Sequence, residues 1–150
     1  MSMAANILLL VEDNPDDEAL TLRALRKSKI GNLVTVVRDG AEALDFLFCT
    51  GAYADRDLNI MPEIILLDLR LPKVDGLEVL RRIRANERTR LLPVVVLTSS
   101  TADRDMVDSY GYGANAYMRK PVDFNQLVEA VQALGLNLLV LNEDPPPPLG

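Results

Sequence analysis

The sequence predicts an α/β domain, a doubly wound sheet of five parallel strands alternating with five helices in the order 2-1-3-4-5. Short apolar runs bounded by turn residues alternate with longer segments whose apolar residues recur near helical spacing. The runs are apolar on consecutive residues, as in strands buried on both faces. Several also end on groups capable of chemistry: acids after the first and third, hydroxyls after the fourth and a lysine after the fifth. In open α/β sheets ligands bind beyond the carboxyl ends of the strands, so these ends mark the site.

A chain of 150 residues, 49% hydrophobic and 25% charged, fits one domain with one core. It divides into a short tail over 1–5, a domain over 6–141 that includes an apolar extension, and a proline-rich tail over 142–150. No apolar run approaches the roughly 20 residues that span a bilayer, and the start lacks a basic leader, so no membrane association and a cytoplasmic address are expected. Cys49 is the only cysteine, which excludes an intramolecular disulfide and a thiolate zinc site and leaves a small hydrophobe. The absence of histidine removes Ser-His-Asp triads, cysteine-histidine catalysis, imidazole metal sites and a phosphohistidine carrier. A net charge of −6 argues against nucleic-acid binding. Chemistry here must use carboxylates, lysine and hydroxyls.

The first strand, Asn6 to Val11, ends on Glu12 and Asp13. Asn14-Pro15 turns the chain, and Asp16, Asp17 and Glu18 suit the start of a helix running to about Ser28, with Arg26, Lys27 and Lys29 at its cation-favouring end. Gly31-Asn32 precedes the second strand, Leu33 to Val37, and Asp39-Gly40 opens a second helix through Ala41, Leu44, Phe46 and Leu47. The polar loop from Thr50 to Met61 is long for a compact domain and reads as a partner surface or an insertion. Ile64 to Leu67 is the central strand, bounded by Pro62 and by Pro72 and Gly76, and it delivers Asp68 to the sheet edge. Leu77, Val79, Leu80 and Ile83 give the third helix its buried side, with Arg81, Arg82 and Arg84 expected on a solvated face.

Leu92 to Leu97 is the fourth strand, followed by Thr98, Ser99, Ser100 and Thr101. A fourth helix over Asp103 to Tyr110 is expected to be short, weakly packed and mobile. The fifth strand, Asn115 to Met118, leads to Arg119, Lys120 and Pro121; a residue before proline is held extended or in a turn, which aims Lys120 back across the sheet edge. Asp123 with Gln126 caps a fifth helix with an apolar side at Leu127, Val128, Val131 and Leu134, and Leu136 to Leu141 continues apolar.

With that strand order Glu12, Asp13 and Asp68 converge at the switch point between strands one and three. Three carboxylates in one pocket repel unless protonated or bound to a cation, and oxygen donors favour magnesium or a similar hard ion such as manganese. Asp68 can then act as nucleophile toward a phosphoryl group, with the Lys120 ammonium and the Thr98 hydroxyl addressing its oxygens. Each residue has a plainer reading: a loop acid pair, a loop cap, a strand-end hydroxyl, a solvent-facing cation. Their joint arrival at successive strand ends favours the site.

These stretches, VEDN, LLDLRLPKVDG, VVLTSS and AYMRKPVDF, together resemble the receiver domains of two-component response regulators, over Asn6 to about Leu134. The resemblance implies a flavodoxin-like receiver fold and a magnesium pocket at Glu12 and Asp13, completed by Asp68 and the backbone carbonyl of Arg70. It implies that Asp68 accepts a phosphoryl group from a sensor histidine kinase, that Thr98 and Lys120 sense it, and that Tyr117 is an aromatic rotamer switch. Such a domain catalyses only its own phosphorylation and dephosphorylation, with Arg70 and Ser100 at positions that tune hydrolysis. The long Ala52 to Met61 loop, the apolar extension and RKPVDF look like single-domain regulators that partner bacterial phytochrome kinases.

The implied output is a changed surface over helix four, strand five and helix five, read by protein contacts. Leu136 to Leu141 either folds back or forms a dimer contact, and a homodimer through the strand five and helix five region is expected. A dehalogenase-type phosphatase would need a second acid where Arg70 stands, and a nucleotide or flavin binder would need a glycine-rich loop where Glu12-Asp13-Asn14-Pro15 stands. A phosphate-independent interaction module on the same fold is the alternative.

Overall fold

The computed structural model describes residues 7–27 and 33–134. The expected tail over 1–5, the end of helix one at Ser28, the apolar extension and the proline-rich tail lie outside the described residues. The elements are β1 (Ile7–Val11), α1 (Pro15–Lys27), β2 (Leu33–Val37), α2 (Gly40–Phe48), β3 (Ile64–Asp68), α3 (Gly76–Ala85), β4 (Val94–Thr98), α4 (Thr101–Tyr110), β5 (Ala116–Arg119) and α5 (Phe124–Leu134). The strands are parallel in the order β2-β1-β3-β4-β5, as the sequence predicts.

The consecutive apolar runs are explained by two cores, one on each face. Ile7, Leu9, Val11, Ile65, Leu67, Val94 and Val96 pack with α2, α3 and Val107 of α4, whereas Leu8, Leu10, Ile64, Leu66, Val95 and Leu97 pack with α1 and α5. Alternate side chains point to opposite faces of a strand, so every position in β1, β3 and β4 is buried. The register sets Asp68 beside Leu97 and Thr98 beside Arg119, which keeps the functional strand ends level.

Several boundaries differ from expectation for local reasons. The fourth strand begins at Val94 because Pro93 has no N–H to donate and the Leu92 amide turns back to Thr89 O at 2.9 Å. Strand five begins at Ala116 because Asn115 plugs the sheet end with its side chain, accepting at Oδ1 from Val94 N and Arg84 Nη2, both at 2.8 Å. Helix four starts at Thr101 because Ser100, inside the hydroxyl run, is its N-cap and accepts from Asp103 N at 3.3 Å.

Arg84 is not on a solvated face. Its guanidinium donates to the carbonyls of Gly113, Arg90 and Leu92 at 2.8 to 3.0 Å, and burial pushes its pKa down from the ordinary arginine value. The long loop is folded onto α2. Gly51–Tyr53 forms a 3-10 turn, Tyr53 Oη donates to Glu42 Oε2 at 2.6 Å, and Arg56 bonds Phe46 O and Ile60 O while lying 3.9 Å from the centre of the Phe46 ring.

Candidate functional site

The site is assembled from strand ends. Glu12 follows β1, fixed by the hydrogen bond its backbone N–H donates to Val37 O at 3.0 Å, and is completely buried, whereas Asp13 beside it is exposed. Asp68 is the last residue of β3 and 3% exposed. One oxygen from each of Glu12, Asp13 and Asp68 lies within 4.8 Å of the others, so the predicted carboxylate set does converge. The loop that follows Asp68 is pressed close: a Cβ on Gly76 would come within 2.3 Å of Asp68 O, and one on Gly40 within 1.7 Å of Val74 O.

Lys120 follows β5, with its amide donating to Thr98 O at 2.8 Å and a cis bond to Pro121. Its ammonium crosses the sheet edge and donates to Asp68 Oδ2 at 2.7 Å, Glu12 Oε2 at 3.1 Å and Asp17 Oδ2 at 3.1 Å. Burial works against the ammonium, but the bonds to Asp68 and Glu12 outweigh it and hold its pKa above the ordinary lysine value. Burial, and next the hydrogen bond with Asp68, push the Glu12 carboxyl up to about 8 against the pull of Lys120.

One ammonium thus faces three carboxylates, with Asp13 alongside, and the site is short of positive charge. Glu12 Oε1 sharpens the point: it lies 3.0 Å from Nζ yet is a buried oxygen that receives no hydrogen bond. A buried, unsatisfied carboxylate oxygen next to a second buried carboxylate and an exposed third is a donor set suited to a hard divalent cation.

Thr98 closes β4 and is buried beside this set. Tyr117 sits on β5, half-buried, and its hydroxyl donates to Asp108 Oδ1 of α4 while Arg104 lies over its ring, 4.8 Å from the centre. Burial, with the Asp108 bond, pushes the Tyr117 phenol up to about 12. Arg70 donates its amide to Asp68 Oδ1 at 3.1 Å, and its guanidinium reaches Asp103 Oδ1 at 2.7 Å. A groove lined by Asp13, Leu69, Arg70, Leu71, Pro72 and Met106 opens beside the acid cluster.

Two residues of this network, Asp17 and Asp103, have no site role by sequence pattern alone. By position Asp17 reads with Asp16 and Glu18 as a helix-start acid, although Asp17, Thr21, Ala24 and Leu25 share the inward stripe of α1 by their spacing. Asp103, 4% exposed, holds Arg70, and that bond keeps its carboxyl below the ordinary range. No spacing rule connects residues 33 apart in the chain.

Comparison with known proteins agrees with this geometry. The family model described as "Response regulator receiver domain" matches residues 8–132. The chain is 41% identical over 141 residues to the probable methanogenesis regulatory protein FilR2 of Methanothrix harundinacea, covering 94% of this chain and 88% of that one. The bacteriophytochrome response regulator RtBRR has a similar solved structure, with TM-score 0.86, 52% identity and coverage of 94% of this chain and 84% of that one. Response regulator Rcp1 of Synechocystis is 39% identical over 128 residues, 85% of each chain. A crystal structure of the Mn(2+)-bound form of response regulator Rcp1 matches with TM-score 0.72 and 36% identity, over 88% of this chain and 95% of that one. Two parallel cores, level strand ends and a carboxylate-lysine cluster at the switch point thus coincide with a family match over most of the chain, and the protein belongs to the response regulator receiver domains, signalling modules of two-component systems.

Proposed function

We propose that Asp68 is the phosphoacceptor, receiving its phosphoryl group from a sensor histidine kinase of the phytochrome class, in the cytoplasm. The observation that carries the reading is the Lys120 ammonium bonded to both buried carboxylates, Asp68 and Glu12. The likeness to a bacteriophytochrome response regulator supports the kinase class. Glu12, Asp13, Asp68 and the backbone carbonyl of Arg70 would hold magnesium or manganese, which when bound supplies positive charge to the phosphoryl oxygens.

A carboxylate oxygen of Asp68 attacks phosphorus in line while the P–N bond to the kinase imidazole breaks. The bonding pair stays on the imidazole nitrogen, which takes a proton from solvent. Lys120 remains an ammonium and transfers its hydrogen bond from Asp68 to a phosphoryl oxygen. Hydrolysis by water returns the Asp68 carboxylate and inorganic phosphate. Thr98 turns its hydroxyl to the phosphoryl group, and Tyr117 leaves Asp108 to fill the space vacated, which changes the surface of α4, β5 and α5. Output passes to a protein target, with a homodimer through β5 and α5 as its platform.

Borohydride trapping tests the acceptor directly. After treatment with acetyl phosphate and magnesium, reduction of an aspartyl phosphate gives homoserine, and peptide mass spectrometry is expected to find it at residue 68 alone. Homoserine at Asp13 or Asp17, with residue 68 unmodified, would overturn the assignment.

A further inference from the structure

An ammonium has three N–H donors, and at Lys120 three carboxylates take them, Asp68, Glu12 and Asp17. On the phosphoacceptor reading, on which this inference rests, two of those acceptors have other commitments. Asp68 ceases to be a free carboxylate when it takes the phosphoryl group, and Glu12 belongs to the acid set that suits a cation. Asp17 stands outside that set. It lies in the first turn of α1, on the inward stripe, with its side chain 30% exposed and Lys120 as its ion-pair partner.

We propose that Asp17 is a positioning residue for phosphoryl transfer, the carboxylate that keeps the Lys120 ammonium anchored at the acceptor while Asp68 and Glu12 change partners. The bond spans from α1 to the loop after β5, so it fixes the direction from which the ammonium approaches. An acid in the first turn also complements the helix dipole, a purely structural service. A carboxylate near an incoming phosphodonor also repels it, so charge alone would make Asp17 inhibitory. Loss of the anchor slows phosphorylation and loss of the charge speeds it, so the sign separates the two.

The test is a mutant cycle on the rate of phosphorylation by acetyl phosphate with magnesium, followed by intact mass. Asp17→Ala is expected to slow the reaction about three- to tenfold. Asp17→Asn keeps an oxygen acceptor and is expected to react at least as fast as the wild type. In a Lys120→Gln background Asp17→Ala is expected to cause no further slowing. Undiminished phosphorylation of Asp17→Ala, or equal slowing with and without Lys120, would overturn the proposal.

A second readout needs no phosphoryl group. In the ¹⁵N-labelled protein the Lys120 ammonium should give a slowly exchanging resonance, lost in Asp17→Ala and retained in Asp17→Asn. A resonance indifferent to Asp17 would overturn the anchor. A wild type that takes no phosphoryl group would overturn the phosphoacceptor reading instead, while the resonance still decides the anchor.

Discussion

At Glu12 a proton and a divalent cation compete for one buried carboxylate. Its pKa of about 8 lies above the ordinary 4.5, so folding takes up a proton between those values. The stability this proton supplies is complete below about 4.5 and is lost as pH rises through about 8. Cation binding needs the carboxylate and runs the other way. Magnesium is expected to raise the melting temperature far more near pH 8 than near pH 6, with affinity falling up to about tenfold per pH unit between them. A thermal-shift titration at several pH values checks it; a shift independent of pH would contradict it. Glu12, Asp13, Asp68, Thr98 and Lys120 were legible in the sequence because each ends or directly follows a strand and strand ends meet. Asp17 was hidden because an acid in a first helical turn already has an explanation, and the second one emerges only when the inward stripe is followed back to the helix start.

Among the elements, α4 is as thinly packed as its low apolar content predicts, with only Asp103 and Val107 buried. Its apolar content is low, and the sequence predicts a loosely held helix. The pattern does not reveal its polar contacts, Asp103 to Arg70 near one end and Asp108 to Tyr117 on β5 near the other. Such ties are invisible to periodicity, since they depend on which loops the sheet order brings together. They give α4 partners that can be exchanged, which suits a surface that switches. Thr98→Ala is expected to accept phosphate but to couple poorly to this surface. Phosphorylation-dependent hydrogen exchange over residues 101–110 should be present in the wild type and largely lost in the variant; an equal change in both would contradict the coupling. Arg84 does the opposite work, holding α3 to the chain around β4 and β5 through three backbone carbonyls. Arg84→Ala is expected to cost about 1–3 kcal/mol in urea unfolding, and Arg84→Lys to restore little of it because one ammonium cannot address the same fork.

For the whole molecule, the two-faced core followed from consecutive apolar runs and the sheet order from the strand-helix alternation together with the family resemblance, while the exact element limits depended on Pro93, Asn115 and Ser100, whose side-chain and ring chemistry overrides propensity. Moving such a domain from one part in a hundred active to almost wholly active takes about 5.5 kcal/mol of differential interaction. On the proposed homodimer, with the apolar segment after Leu134 as its contact, truncation after Leu134 is expected to convert a dimer to a monomer in sedimentation analysis, and an unchanged dimer would exclude the segment as the essential contact.

The most direct measurement is the intact mass of the protein after exposure to acetyl phosphate, with and without magnesium, beside Asp68→Asn. One added phosphoryl group, dependent on magnesium and missing from the variant, is expected. No gain by folded wild-type protein with several donors, or an equal gain in Asp68→Asn, would contradict the assignment of Asp68 as a phosphoacceptor.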